Sequence, residues 1–175
     1  MIPAQTIILL SGIPATGKTS FARYLAQDRG FAHYDLERHP GGWPRPELKR
    51  LWENSRSRFV NALRRNHGRI VLDWGFPPHC YPWVKELRDC GVRLVWFEGD
   101  TGAALRAFRA RCATSGSSAF KIQVENIKRA MYPEVLACLV IPALSANGSF
   151  LNQLDIERRV FGELGVARDF QSQNS

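Results

Sequence analysis

Glycine, lysine and threonine recur at fixed spacing near the start of the chain, in the segment Gly12-Ile13-Pro14-Ala15-Thr16-Gly17-Lys18-Thr19. The segment fits G-x-x-x-x-G-K-[ST], in which the glycines let successive backbone N–H groups converge on an anion. In such loops the lysine reaches the β- and γ-phosphates of a nucleotide, and the hydroxyl after it ligates Mg²⁺. The spacing therefore predicts a phosphate-binding loop that extends to Ser20, with Lys18 as phosphate ligand and Thr19 as magnesium ligand.

Two aspartates follow predicted strands downstream of this loop. Asp73 ends an apolar strand predicted at residues 69–73, the position from which P-loop proteins hold Mg²⁺. Asp35 ends a shorter strand predicted at residues 31–35. In open parallel sheets the ligand lies beyond the carboxyl ends of the strands, so we expect both carboxylates to face the crevice that contains the loop.

The carboxylate of Asp35 is the candidate proton acceptor or orienter for an attacking hydroxyl. Arg38 follows three residues later, and its guanidinium could bind an anionic group on the molecule that carries that hydroxyl. The alternative is that Asp35 caps the next turn and that Arg38 pairs with Glu37 or with solvent. The sequence leaves both interpretations open.

Three further arginines, Arg106, Arg109 and Arg111, precede a Ser/Gly-rich stretch at residues 113–118. Arg106 and Arg109 share a helical face at i, i+3. Phosphoryl transfer needs cations around the developing equatorial charge, and a lid of about residues 106–120 would bring them in on closure. The alternative is an amphipathic helix with exposed arginines.

The elements that must position these side chains alternate along the chain. A β-branched, apolar run at residues 6–10 predicts a strand before the loop, and Phe21 and Leu25 share a face of the helix predicted after it, with Tyr24 beside them. Such βα repetition predicts an α/β fold with a parallel sheet and helices on both faces. The remaining predicted elements are strands at 92–97 and 138–141 and helices at 46–66, 81–89, 101–112, 119–131 and from 150 or 151 to 165.

The helix predicted at residues 46–66 begins at Pro46, a favoured first-turn residue. Its arginines are expected to lie away from the buried stripe. Pro133 is expected to close the helix at residues 119–131. The buried stripe is predicted to contain Leu48, Leu51, Trp52, Ser55, Phe59, Ala62 and Leu63.

The 175 residues suggest a single domain over residues 1–170, followed by a polar tail at 171–175. The net charge of +8 comes mainly from two segments of the chain. Residues 36–69 hold nine Lys/Arg against three Glu, and residues 101–130 hold six against one. A polyanionic substrate would be attracted to that field, although a solvated basic surface explains the same counts.

Composition excludes several other classes of protein. No apolar stretch approaches the length that a membrane span requires, and the first five residues lack the basic region of a signal peptide. Cys80, Cys90, Cys112 and Cys138 match no zinc-binding spacing. We therefore expect reduced thiols and a cytoplasmic location.

Taken together, these residues resemble the small P-loop kinases of the AAA-type ATP-binding group, akin to zeta-toxin-like kinases, chloramphenicol phosphotransferases and the kinase domain of phage polynucleotide kinase. The resemblance covers roughly residues 7–111. The matching segments are Gly12 to Ser20, Asp35 with Arg38, Leu72-Asp73-Trp74-Gly75-Phe76, and the helix from Arg106 to Arg111.

The resemblance implies a three-layer P-loop NTPase fold with strand order 2-3-1-4-5, and ATP and Mg²⁺ as cofactors. It implies that Asp35 provides the base and Arg38 a contact to a phosphate of the acceptor. Arg109 is assigned to the transferred phosphate, and Arg106 and Arg111 to the nucleotide. The uneven spacing of these three arginines leaves the order of their roles open. The loop at residues 143–148 lies where related kinases contact adenine.

Three functions follow from this reading. The first is an ATP-dependent kinase acting on a hydroxyl of a small-molecule or nucleotide-like acceptor, anionic where Arg38 binds it. The second is a polynucleotide 5′-hydroxyl kinase, with the basic stretch 49–69 along a nucleic-acid backbone and Trp43 or Trp52 stacked on a base. It is less favoured because Trp52 falls on the predicted buried stripe. The third is an ATP-binding switch that transfers no phosphate.

Overall fold

The computed structural model describes residues 2–37, 46–111, 117–135 and 137–169. Their strands form one parallel sheet of five, in the order β2-β3-β1-β4-β5. This confirms the predicted α/β class and the strand order. The strands are β1 (Thr6–Gly12), β2 (Ala32–Asp35), β3 (Arg69–Asp73), β4 (Arg93–Gly99) and β5 (Leu139–Leu144).

Seven helices connect or follow these strands within the described residues, together with a short 3₁₀ turn at Pro78–Cys80. They cover both faces of the sheet, as the βα repetition predicts. The helices are α1 (Lys18–Arg29), α2 (Pro46–Asn54), α3 (Arg56–Asn66), α4 (Tyr81–Asp89), α5 (Thr101–Arg111), α6 (Ser117–Val135) and α7 (Gln153–Asp169).

Strand β1 lies at the centre of the sheet and is buried along its whole length. Successive side chains of a strand point to opposite faces, so an unbroken apolar run is what a doubly covered strand requires. Ile7 and Leu9 pack under α2, α3 and α4, while Ile8 and Leu10 pack against α1 and α7. The glycine loop therefore emerges from the most firmly buried strand of the fold.

The sequence prediction of one helix over residues 46–66 is wrong. The structure has two helices, and Ser55 between them has extended backbone angles, φ −162° and ψ 108°. The Ser55 hydroxyl accepts a hydrogen bond from the N–H of Arg58 and so caps α3. Serine favours this position over a helix interior, because its oxygen satisfies an N–H group that the first turn leaves unpaired.

The expectation that the arginines avoid the buried stripe is also wrong for Arg56, which is 8% exposed. Its guanidinium lies 4.9 Å from the ring centre of Trp83 and donates to the carboxylate of Glu86 at 3.1 Å. It also donates to the carbonyl of Trp52. A buried cation is tolerated where carboxylate, carbonyl and aromatic faces replace water, so Arg56 holds α3 against α4.

Other element boundaries differ by up to four residues from those predicted, and β1, β4 and β5 all extend further than expected. Helix α6 continues through Pro133 to Val135, so this proline does not close it. Helix α7 begins at Gln153 rather than at 150 or 151. Of the described helices, none is long and apolar enough to cross a membrane. Cys80 and Cys90 are free thiols, and Cys112 and the polar tail at 171–175 lie outside the described residues.

The contact between α1 and α7 yields a first prediction. Glu157 accepts hydrogen bonds from Arg29 Nε at 2.8 Å and from the hydroxyl of Tyr24. Burial alone would raise the pKa of Glu157, but these two donors outweigh it and lower that pKa. The ionised Glu157 therefore stabilises the folded protein at neutral pH. This stabilisation is lost as the pH falls through the lowered pKa of Glu157. Glu157→Gln should lower Tm at pH 7 by about 2–4 °C.

Thermal unfolding of both proteins from pH 7 to pH 3 tests this. The Tm difference should shrink towards zero as Glu157 is protonated in the wild type. The control is Glu53→Gln, which removes an exposed pair with Lys49 and should change Tm little at any pH. A Tm difference for Glu157→Gln that is constant with pH would show that the carboxylate charge does not contribute.

Candidate active site

The glycine loop has a backbone conformation that its sequence makes possible. Gly12 has φ +127°, and a Cβ built on it would lie 2.1 Å from the carbonyl oxygen of Phe97 on β4. Gly17 has φ +94° and is the N-cap of α1. Ala15 also lies in the left-handed region, at φ 63°. The two glycines thus allow a turn that passes directly over the neighbouring strand.

The first turn of α1 presents its backbone to the interior of this loop. Its N-cap, Gly17, has no side chain with which to cap the first N–H groups, and the first turn contains no acidic residue. Such N–H groups and the helix dipole favour a bound anion. Beside them lies Lys18, a residue that is 8% exposed. Its ammonium donates to the carbonyls of Ile13 at 2.8 Å and Gly12 at 3.3 Å.

A cavity of about 210 Å³ opens over the loop. One side is the loop itself, and the other is the ends of β2 and β3 together with α5 and α6. The cavity has the polar lining and the position that a chain of phosphates requires. Its lining residues are Gly12, Pro14, Ala15, Gly17, Lys18, Thr19, Ser20, Glu37, Asp73, Gly75, Phe108 and Gln123. Ile13 and Thr16, the remaining loop residues, are buried behind it, where the Thr16 hydroxyl donates to the carbonyl of Ile13.

Asp73 lies in the wall of this cavity. It is 4% exposed, and its Oδ2 lies 3.8 Å from Nε2 of His33 on the adjacent strand β2. Thr19 lies across the same cavity. A hydroxyl and one or two carboxylates are the protein ligands that Mg²⁺ takes when phosphate oxygens and water complete its octahedron. These residues therefore fit a magnesium–nucleotide complex.

The structure places Asp35 beside Asp73, as partners in the parallel register of β2 and β3. Its Oδ1 accepts the backbone N–H of Glu37 at 3.1 Å, so this carboxylate does cap the turn that follows β2. Asp35 does not line the cavity described above. Capping occupies one oxygen, so the predicted catalytic role of Asp35 stays a prediction.

Glu37 is a site residue for which the sequence indicated only an ion pair with Arg38. Its carboxylate lines the phosphate cavity and accepts the backbone N–H of Gly75. A Cβ at Gly75 would lie 2.4 Å from Oε1 of Glu37, so a glycine is what allows this approach. The signal in the sequence was the glycine directly after Asp73-Trp74, which marks a close contact. Arg38 itself lies outside the described residues.

Arg106 and Arg109, two of the predicted lid arginines, do not line the phosphate cavity. Arg106 and Arg109 are exposed on α5, and the Arg106 guanidinium donates to the carbonyl of Ala146 at 3.0 Å. Helix α5 instead contributes Phe108 to the phosphate cavity. Arg111 ends α5, and its side chain lies outside the described part of the chain. The roles assigned to these arginines, and the lid itself, stay predictions.

A second cavity, of about 500 Å³, lies on the other side of the loop. It shares Ala15, Gly17 and Ser20 with the phosphate cavity, so the two meet around the loop backbone. The rest of its lining is mostly apolar, as in sites for planar organic ligands. These residues are Thr16, Ala107, Ala110, Ala143, Phe150, Leu151, Gln153 and Ile156. The sequence indicated this region only through the loop 143–148.

Comparison with known proteins finds the same fold in solved kinases. A gluconokinase from Sinorhizobium meliloti 1021 matches with TM-score 0.58 and 17% identity, over 97% of this chain and 98% of that one. A shikimate kinase from Acinetobacter baumannii in complex with shikimate matches with TM-score 0.58 and 14% identity, over 94% and 98%. A deoxyadenosine kinase from M.mycoides with bound dATP matches with TM-score 0.54 and 11% identity, over 91% and 100%.

At these identities the similarity establishes the fold and nothing finer. The chain has the five-stranded α/β fold of P-loop kinase structures, with the strand order 2-3-1-4-5. No protein-family model and no curated protein matches it. Membership of the zeta-toxin-like or polynucleotide-kinase group therefore stays a prediction.

Proposed function

We propose that the protein is an ATP- and Mg²⁺-dependent kinase that transfers the γ-phosphate to a hydroxyl of a small-molecule or nucleotide-like acceptor. The observation that carries this proposal is the phosphate cavity itself. The ammonium of Lys18 and the uncapped start of α1 lie on one side of it, and the carboxylates of Asp73 and Glu37 lie on the other. A protein that only binds a nucleotide does not need a carboxylate beyond the metal ligand.

The two cavities suit the two ends of a nucleotide. The phosphates would lie in the polar cavity, where Lys18 exchanges the carbonyls of Ile13 and Gly12 for phosphate oxygens. The base would lie in the apolar cavity between Phe150 and α5. Because Ala15, Gly17 and Ser20 line both cavities, the two are adjacent, and one nucleotide would extend from one into the other.

Catalysis by this chain would consist of positioning and charge stabilisation. Lys18 and the first N–H groups of α1 would stabilise the negative charge that develops on the phosphate oxygens during transfer. Thr19 and Asp73 would hold Mg²⁺, which neutralises charge on the phosphates when it is bound. Asp35, or Glu37 beside it, would orient the acceptor hydroxyl and take its proton.

The acceptor would enter at the edge of the sheet, where β2 and the turn after it lie. Solved structures with this fold carry the names of kinases for gluconate, shikimate and deoxyadenosine, which favours a small polar acceptor here. The polynucleotide alternative loses one of its supports, because Trp52 is 7% exposed and packs among Phe59, Trp74 and Trp83.

Acceptor-dependent ADP release tests the proposal directly. Purified protein with ATP and Mg²⁺ is assayed against a panel of sugar acids, hydroxylated ring acids, nucleosides and 5′-hydroxyl oligonucleotides. At least one acceptor should raise ADP release well above the rate with water alone. Tight ATP binding with no stimulation by any acceptor class would instead favour the switch protein.

A single substitution separates transfer from binding. Asp35→Asn keeps an oxygen that can accept the N–H of Glu37, so the turn after β2 should survive. We expect acceptor-dependent turnover to fall about 10²-fold, while the Kd for ATP changes less than about twofold. Turnover and ATP binding are measured separately, the second by calorimetry.

The matched comparison is Glu37→Gln, which retains the acceptor for the N–H of Gly75. If Glu37→Gln loses turnover and Asp35→Asn does not, the base is Glu37 and the prediction for Asp35 is wrong. Full activity in both variants would show that neither carboxylate takes part in phosphate transfer.

A further inference from the structure

Gln153 stands apart in the lining of the apolar cavity. It is the first residue of α7, and its side chain is a polar group among alanines, Ile156 and Phe150. Its Oε1 is buried, and among residues 2–37, 46–111, 117–135 and 137–169 it has no hydrogen-bond partner. Buried polar atoms nearly always have a partner, so this oxygen requires an explanation.

The surroundings indicate which kind of molecule would supply that partner. Phe150 is 52% exposed, and its ring lies against the backbone of Gly17, where the two cavities meet. Ala107 and Ala110 present small side chains from α5. A flat heteroaromatic ring can lie against Phe150 and the alanines while its polar edge faces the Gln153 amide.

In the described structure, no hydrogen bond to Oε1 fixes the orientation of the Gln153 amide. A glutamine amide carries an acceptor oxygen and a donor NH₂ at similar positions, and rotation about its last torsion exchanges them. A hydrogen bond to Oε1 would hold one orientation, and the described structure provides none. Rotation about this torsion would turn Oε1 from its buried position towards the apolar cavity.

We propose that Gln153 recognises the edge of a purine base and that, because its amide can rotate, it accepts adenine and guanine alike. This inference rests on the proposed nucleotide site. With adenine, the 6-amino group donates to Oε1 and a ring nitrogen accepts from Nε2. With guanine, the N1–H donates to Oε1 and the 6-oxo group accepts from Nε2. A purine without a 6-substituent offers only ring acceptors and leaves Oε1 unpaired.

Calorimetric titration of the whole protein with Mg²⁺ and three nucleotides tests this without any acceptor. ATP and GTP should bind with Kd values within about fivefold of each other, and purine riboside triphosphate should bind about three- to tenfold more weakly. In Gln153→Leu, which has a similar volume and no hydrogen-bonding group, ATP, GTP and purine riboside triphosphate should bind with nearly equal Kd. The control Leu154→Ala changes the exposed next residue of α7 and should keep the wild-type ratios.

A second measurement checks that the substituted protein is folded and that Oε1 is unpaired. Replacing a buried oxygen without a partner by an apolar group of the same shape does not destabilise a protein. Gln153→Leu without nucleotide should therefore have a Tm equal to the wild type or higher. A clear fall in Tm would show that the amide has a structural partner and would overturn the proposal.

The remaining outcomes separate this inference from the kinase function. A wild-type preference of 100-fold or more for ATP over GTP, or for GTP over ATP, would overturn the dual recognition. So would an unchanged ratio of ATP to purine riboside triphosphate in Gln153→Leu. If the binding ratios are as expected but no acceptor is phosphorylated, only the proposed function fails. If no nucleotide binds, both fail.

Discussion

Lys18→Ala should lower acceptor-dependent kcat/KM by about 10³-fold, since it removes the only side-chain cation in the wall of the described phosphate cavity. Lys18 is 8% exposed, so the attraction of its charge for phosphate is screened less than that of a surface lysine. In the wild type, ATP and Mg²⁺ at about 100 times Kd should raise Tm by roughly 5–10 °C. The variant should lose most of that rise at the same concentrations.

The control for this substitution is Lys85→Ala, which removes the same charge from an exposed position on α4. It should leave kcat/KM and the ATP-induced rise in Tm at wild-type values. Without nucleotide, Lys18→Ala should unfold near the wild-type temperature, because the chain loses two hydrogen bonds to loop carbonyls and a desolvated charge together. Full activity in Lys18→Ala would contradict the kinase proposal.

The sheet and the loop could be predicted because their determinants are local. A β-branched run, two glycines at fixed spacing and an amphipathic helix follow one another within residues 6–29, and each requires the next. Asp73 could be placed for a similar reason, since an apolar strand that ends in a carboxylate reaches the same edge of the sheet as the loop. The strand order itself came from the family resemblance.

The parts that the sequence did not predict depend on contacts between distant segments. Ser55 reads equally well as a residue inside a helix and as a cap, and the packing of α3 on α4 through Arg56 and Glu86 decides between them. Glu37 enters the site only because Gly75, 38 positions further on, allows its carboxylate to approach. Gln153 lines the apolar cavity because the start of α7 and the alanines of α5 border the same space, which no local pattern records.

Gly12→Ala should destabilise the fold more than any other single methyl group added at the site. The new Cβ would lie 2.1 Å from the carbonyl oxygen of Phe97 and 2.6 Å from its backbone nitrogen. Both atoms belong to β4, which pairs with β1 at this position and cannot move aside as a flexible side chain could. The φ of +127° adds strain of its own for an L-residue. We expect a loss of about 4 kcal/mol, or roughly 8–16 °C in Tm.

Gly30→Ala separates the clash from the backbone strain. Gly30 also has a positive φ, of +68°, but a Cβ there would meet nothing within 4 Å. It should therefore lose about 1 kcal/mol, the cost of the left-handed conformation alone. Denaturant unfolding of both variants gives the comparison. Equal losses would mean that β1 and β4 can separate at the loop, and Gly12 would then matter for its conformation and not for the close approach of the two strands.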